Sequence, residues 1–322
     1  MHLGFYYHSP FIKDDFILST PSYLGVFLES LLPYVDKLTI FGHLSANDDL
    51  VNCDYKINNE KIVFLNIGLK TSSWHRYLFN KRILKKFSNE AKKCNALLVR
   101  GPSPLAPFFY THFGDLTKTF YLIVGDYTQV HQLSNDRGLR QRVSKYLDFL
   151  LDKRLTRSIK CCPTFVNGRH LYEKYSSTSE DISEIKTTTI SKKDLFFRKD
   201  SFQDNQKYIN ILYAGRLDLK KGLIEILEAS ILLIKENYKI KVHFVGWEES
   251  QKEEVKNKLI GIAKRNNAID YIFFHGKKSV GSDLFQLYRD AQLFLLPSYY
   301  EGFPRTISVS YTHLTLPTKR VV

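Results

Sequence analysis

The sequence predicts an α/β protein made of two parallel-sheet domains, and three observations lead there. Short apolar runs of strand length alternate with segments whose apolar residues fall at helical spacing, along most of the chain. The 322 residues suit two domains of ordinary size, each able to bury a core. Finally, the apolar run Tyr208 to Ala214 breaks at Gly215-Arg216-Leu217-Asp218-Leu219-Lys220-Lys221-Gly222. Ile224, Leu227, Ile231 and Leu232 then recur at helical spacing, so the unit reads strand, basic loop, helix. Such units join parallel strands through right-handed crossovers.

Composition narrows the function classes. With 43% hydrophobic and 25% charged residues the chain is globular. The net charge of +14 is spread over both halves, and no RNA-recognition, zinc-finger or helix-turn-helix signature accompanies it. The charge therefore predicts no nucleic acid partner, but a basic face toward anionic lipid or a phosphorylated substrate. Cys53, Cys94, Cys161 and Cys162 form no C-x-x-C pair, which points to reduced thiols in a cytoplasmic protein rather than a disulfide framework or a metal site. The start lacks a charged segment followed by an apolar one. No run approaches the roughly 18 apolar residues of a spanning helix, so neither secretion nor a membrane span is expected.

Residues 1–200 are predicted as the first domain. Strands are expected at His2–Tyr7, Lys37–Phe41, Lys61–Ile67, Ala96–Arg100 and Phe120–Val124, with helices at Tyr23–Tyr34 and Arg137–Arg157. Asp14 and Asp15 fall in a polar loop, 176–181 in another, and Thr187–Ser191 reads as a short strand. The domain carries no G-x-G-x-x-G and so no dinucleotide signature. Ser73–Cys94 predicts one amphipathic helix with Arg76, Lys81, Arg82, Lys85, Lys86, Lys92 and Lys93 against Glu90 alone. It reads either as a sheet-covering helix with a solvated basic face or as a peripheral contact with an anionic membrane. After the strand at 120–124 comes Gly125-Asp126-Tyr127. Ligands gather at the carboxyl ends of parallel strands, so Asp126 is a candidate for the reacting centre. Its alternative role is to cap the following segment.

The charged stretch 200–207 predicts the linker, and 205–307 the second domain. Its strands are expected at 208–214, Lys241–Gly246, Tyr271–Lys277 and Leu293–Leu296, its helices at 223–235, Glu249–Lys264 and Asp283–Ala291. Gly246 permits close backbone approach to a ligand. His275 is either a ligand contact or structural. The loop from Gly215 to Gly222 combines backbone N–H groups and a helix N-terminus with two cations: Arg216, a fork suited to phosphate oxygens, and Lys221, a compact charge. Its natural ligand is a diphosphate. The last strand delivers Pro297-Ser298-Tyr299-Tyr300-Glu301-Gly302-Phe303-Pro304, a turn with one carboxylate.

Taken together, G-R-L-x-x-x-K-G and P-S-x-x-E-G-F-P resemble the donor half of the retaining glycosyltransferases of family four, also called group 1. The resemblance covers about 208–307, and the first domain in architecture alone. It implies the GT-B fold, two Rossmann-like domains facing across a cleft. It implies a hexosyl-type transferase that moves a sugar from a nucleotide-sugar to a glycan or lipid-linked acceptor in surface polysaccharide or glycolipid assembly, at the inner face of the cell membrane. Arg216 and Lys221 would hold the donor diphosphate, Glu301 would contact sugar hydroxyls, and Gly215, Gly222, Gly246, His275, Gly302 and Phe303 would line the donor site. No metal or other cofactor is expected. A nucleotide-sugar epimerase of the same architecture and a non-catalytic sugar-nucleotide-binding protein remain alternatives.

One departure is marked. The family pattern places a second Glu eight residues after the first, and this chain has Val309 there. From Val309 to Thr318 the helical periodicity fades and Pro317 intervenes. The stretch reads as a translation of a transposon-type sequencing adapter (GTC TCT TAT ACA CAT CTG ACG CTG CCG ACG). Residues 308–322 are accordingly expected to be a non-native tail, and the second domain to be incomplete.

Overall fold

The computed structural model describes residues 1–45, 53–126, 139–187, 196, 207–248, 253–299 and 305–313. The chain divides into two compact units, Met1–Thr187 and Thr188–Val322. The predicted linker lies outside the described residues except for Lys207.

The first unit is organised by a nine-stranded sheet. Its strands are β1 (His2–Asp14), β2 (Ile17–Thr20), β3 (Lys37–Leu44), β4 (Tyr55–Ile57), β5 (Ile62–Leu69), β6 (Ala96–Gly101), β7 (Lys118–Ile123), β8 (Thr164–Asn167) and β9 (Ile182–Ile185). The parallel part runs β5-β3-β1-β6-β7-β8-β9. Successive side chains leave a strand on opposite faces. Phe5 thus joins Leu24, Leu28 and Ile40 in one core, while Tyr6 joins Phe41, Val99, Phe109 and Tyr121 in the other.

Two expectations for this unit need correction. The first strand does not end at Tyr7. The register of β1 shifts between Tyr6 and Pro10, the strand continues to Asp14, and β2 returns antiparallel to pair with β4. Phe11 is fully buried, so the strand continues because its apolar residues still have a core to enter. Asp15, expected in a loop, makes the turn at φ 43, a conformation that Asp tolerates. The basic segment is likewise not one helix. It breaks into α2 (Ser73–His75), a π turn (Arg76–Asn80), α3 (Lys81–Leu84), a 3-10 turn (Lys85–Phe87) and α4 (Ser88–Lys92), following α1 (Ser22–Leu31). The π turn carries Arg76 and Tyr77 inward together, and Arg76 is 3% exposed rather than solvated. Helices α5 (Ala106–Phe113), α6 (Leu139–Ile159) and α7 (Arg169–Ser176) complete the unit.

The second unit is a four-stranded parallel sheet in the order β12-β11-β10-β13. These strands are β10 (Ile209–Ala214), β11 (Ile240–Val245), β12 (Ile272–Phe274) and β13 (Leu293–Phe294). On one face α8 (Leu223–Lys235) and α9 (Glu254–Arg265) bury Leu223, Leu227, Ile231 and Leu259 against Tyr213, Val242 and Phe244. On the other, α10 (Ser282–Asp290) and α11 (Arg305–His313) pack on Leu212 and Phe294. Helix α11 corrects the expectation that periodicity is lost from Val309. Val309, Ser310 and His313 fall on one buried face, with the His313 ring 4.5 Å from that of Phe285. The spacing is helical although two of the three are polar, which hid it from an apolar count. Residues 314–322 lie outside the described set. Among the described residues no helix is long and apolar enough to cross a membrane.

Candidate functional site

The carboxyl ends of three parallel strands are tied together by backbone hydrogen bonds. Gly215 N donates to Val245 O (2.9 Å), Leu217 N to Trp247 O (2.8 Å) and Gly246 N to Gly276 O (2.9 Å). Gly246 has φ +149, and a methyl group there would overlap the carbonyl oxygen of Gly215. The close approach predicted at Gly246 is thus to backbone of its own unit. The loop from Gly215 is held from below by Tyr213, whose hydroxyl donates to Arg216 O (2.6 Å). Asp218 Oδ1 accepts from Lys220 N (3.0 Å) and caps the 3-10 turn Leu219–Lys221. Gly222, at φ +71, closes that turn and opens α8. Arg216 is exposed and Lys221 half-buried, both beside the positive end of a thirteen-residue helix.

The second motif reaches this loop through β13. Leu295 N donates to Leu212 O (2.9 Å), which delivers Pro297 to Gly222; a methyl group on Gly222 would overlap the Pro297 carbonyl oxygen. Tyr299 N then donates to Lys220 O (3.1 Å), and its hydroxyl donates to Glu225 in the first turn of α8. The segment 297–299 therefore lies directly on the cationic loop. Glu301, Gly302 and Phe303 lie outside the described residues. Val309 shares a buried cluster with Ala214 and Val245, the last residues of β10 and β11.

His275 belongs to a different constellation. Its Nε2 is 2.9 Å from Nδ1 of His243, and both line a cavity of about 550 Å³ with Asn210, Arg289 and Gln292. Burial, then the neighbouring His275 and Lys241, lowers the His243 pKa to about 4. The His275 backbone nonetheless joins the strand ends: His275 N donates to Phe244 O (2.9 Å), and Gly246 N donates to the carbonyl of adjacent Gly276 (2.9 Å).

In the first unit Asp126 follows β7 and its carboxylate is buried. Oδ1 accepts from Lys174 Nζ (2.7 Å), while His170 Nε2 lies 3.9 Å from Oδ2. Lys174 also donates to Asp152 Oδ1 (2.8 Å), which accepts from Tyr175 (2.9 Å). No local signal announces this network, because its members come from α6, α7 and the end of β7. Tyr127 and His131 lie outside the described residues.

Residues 194–308 match the family model of glycosyl transferases group 1. The match lies within the second unit, and both motifs fall inside it. Protein CapJ of Staphylococcus aureus is 24% identical over 278 residues, 84% of this chain and 67% of CapJ. WaaG, a glycosyltransferase involved in lipopolysaccharide biosynthesis, superposes with a TM-score of 0.65 at 11% identity, covering 97% of this chain and 79% of WaaG. Alr3699/HepE from Anabaena, solved with UDP and glucose, gives 0.64 at 11% identity over 96% and 78% of the two chains. At these identities the structures establish the GT-B fold.

Proposed function

We propose that this protein transfers a sugar, with retention, from a nucleotide-diphosphate sugar to a saccharide or lipid-linked acceptor in surface polysaccharide or glycolipid assembly. The observation that carries the reading is the contact between the two motifs. Pro297 and Tyr299 rest on Lys220, Gly222 and Glu225, inside the group 1 match. The relatives point the same way: WaaG serves lipopolysaccharide synthesis and HepE binds UDP and glucose.

Breaking the anomeric bond leaves charge on a nucleoside diphosphate. Arg216 presents a planar fork of donors to its oxygens, Lys221 a point charge, and α8 the positive end of its dipole. These cations act where the leaving group becomes more anionic, so they lower the barrier rather than merely bind. In this reading they supply what a divalent ion supplies elsewhere. Glu301 orients the sugar through its hydroxyls. Peripheral membrane contact fits Leu78 (45% exposed) and Phe79 (59% exposed) beside exposed Arg82, Lys85 and Lys86.

The test is turnover of radiolabelled UDP-sugars by the full chain with a membrane-extract acceptor, with donor alone as control. Arg216→Ala and Lys221→Ala should each lower kcat. Turnover unchanged in both variants would overturn the assignment of the loop. Flotation with anionic vesicles tests the surface contact: a double Leu78→Ser, Phe79→Ser variant should float less, and equal flotation refutes it.

A further inference from the structure

Five basic side chains converge where four adjacent parallel strands of the first sheet end, and neither the site above nor the transfer step uses them. The strands lie in the order β5-β3-β1-β6. Lys70 directly follows β5, His43 is the penultimate residue of β3, His8 sits in β1 past its parallel pairing with β6, and Arg100 is the penultimate residue of β6. Arg76 joins them from the π turn after β5, a local distortion that often marks a functional position. His43, Arg76 and Arg100 are 0%, 3% and 4% exposed.

The cluster is one electrostatic unit. His8 feels Lys70, Arg76, His43 and Arg100; His43 feels Arg76 and Lys70; Lys70 feels Arg76. Among the described residues no carboxylate figures with the charges acting most strongly on these three. Arg100 Nε and Nη1, His43 Nε2 and His8 Nδ1 are buried and have no hydrogen-bond partner among the described residues. Arg100 is held by faces of Tyr7, Tyr23 and Phe27 instead, 4.8, 5.9 and 5.1 Å from its guanidinium carbon. A buried guanidinium such as that of Arg100 is costly when its donors lack partners, and the orphaned imidazole nitrogens of His43 and His8 add to the cost. An oxyanion satisfies both demands.

From this convergence we infer that His8, His43, Lys70, Arg76 and Arg100 form a binding site for a phosphoryl group. As the acceptor subsite it rests on the transferase reading, and it makes the acceptor phosphorylated. As an anion site it stands independently. Neutral sugars would leave Arg100 and His43 unmatched.

The experiment is calorimetric titration of the full chain with inorganic pyrophosphate at pH 7. It is done in an Arg216→Ala, Lys221→Ala background, which removes the two cations assigned to the donor diphosphate. Binding should persist there. Adding Lys70→Met should weaken it about tenfold or more by deleting one charge-assisted partner, while the melting temperature holds or rises. His43→Gln serves as a second variant if Lys70→Met fails to fold. Two further arms identify the source, a soluble sugar 1-phosphate and phosphatidylcholine vesicles carrying phosphatidic acid. Lys70-dependent binding in the first assigns a soluble acceptor, and in the second alone a lipid-borne one. Pyrophosphate binding that vanishes with Arg216 and Lys221, or that ignores Lys70→Met and His43→Gln, overturns the site. Anion binding without any sugar transfer would sink the transferase reading and leave this site standing.

Discussion

The backbone N–H of Tyr299 donates to the carbonyl of Lys220 at 3.1 Å, joining two motifs that lie far apart in sequence. The bond sets the segment 297–299 against the cationic loop. In the proposed transfer reaction this backbone junction links the cationic loop to the second motif, and the outcomes below test it and the buried charges of the first unit.

Removing Arg216 or Lys221 should lower kcat on the order of 10²–10³-fold, the usual cost of losing one preplaced donor to a charge that develops in the transition state. Steady-state kinetics should show the loss mainly in kcat. A change confined to KM would mean that the residue binds donor and transition state equally.

Gly246→Ala should destabilise the second unit by roughly 1–3 kcal/mol, since the new methyl meets the Gly215 carbonyl at a φ that suits glycine. Gly222→Ala strains α8's entry and presses on Pro297. Urea unfolding measures both. Wild-type midpoints would show that the strand ends are not packed as described.

Lys174 is shared by Asp126 and Asp152, and Asp126 is buried. Lys174→Met removes the cation and should cost on the order of 3 kcal/mol, well above an exposed pair's ~0–1 kcal/mol. Thermal unfolding decides; a loss within the exposed-pair range would place the network in solvent.

Stability should fall on acidification through a window set by His43. Burial, then the charges of Arg76 and Lys70, lowers its pKa from 6.5 to about 3. The unfolded imidazole therefore binds a proton first, so this stability is complete above pH 6.5 and is lost as pH falls toward 3. Each pKa unit is worth about 1.4 kcal/mol. Chemical denaturation between pH 7 and 4 should show a shallower slope for His43→Gln, and equal slopes would refute the assignment.

If residues 308–322 derive from an adapter, the source DNA read through the 3′ end of the coding region carries Glu at position 309. Val309 shares a buried apolar cluster with the last residues of β10 and β11. A genomic VSYTHLTLPT would refute the adapter origin.

Much was legible locally. Alternating apolar periods located nearly every parallel strand, because burial on both sheet faces demands continuous apolar runs. Glycine spacing around Arg216 and Lys221 located a tight loop between strand and helix, because left-handed backbone at Gly222 and close approach at Gly246 exclude other residues. The inward turn of Arg76, the return of β2 and the helix through His313 were not legible. Each follows from contacts between distant residues. The same limit hid the sharing of Lys174 by two carboxylates and the gathering of His8, His43, Lys70, Arg76 and Arg100. Sequence by itself determined the local elements and the two motifs, since backbone preference and hydrophobic period act over a few residues. Tertiary structure decided which distant charges share one buried space, since that depends on strand order, which no short window of sequence contains.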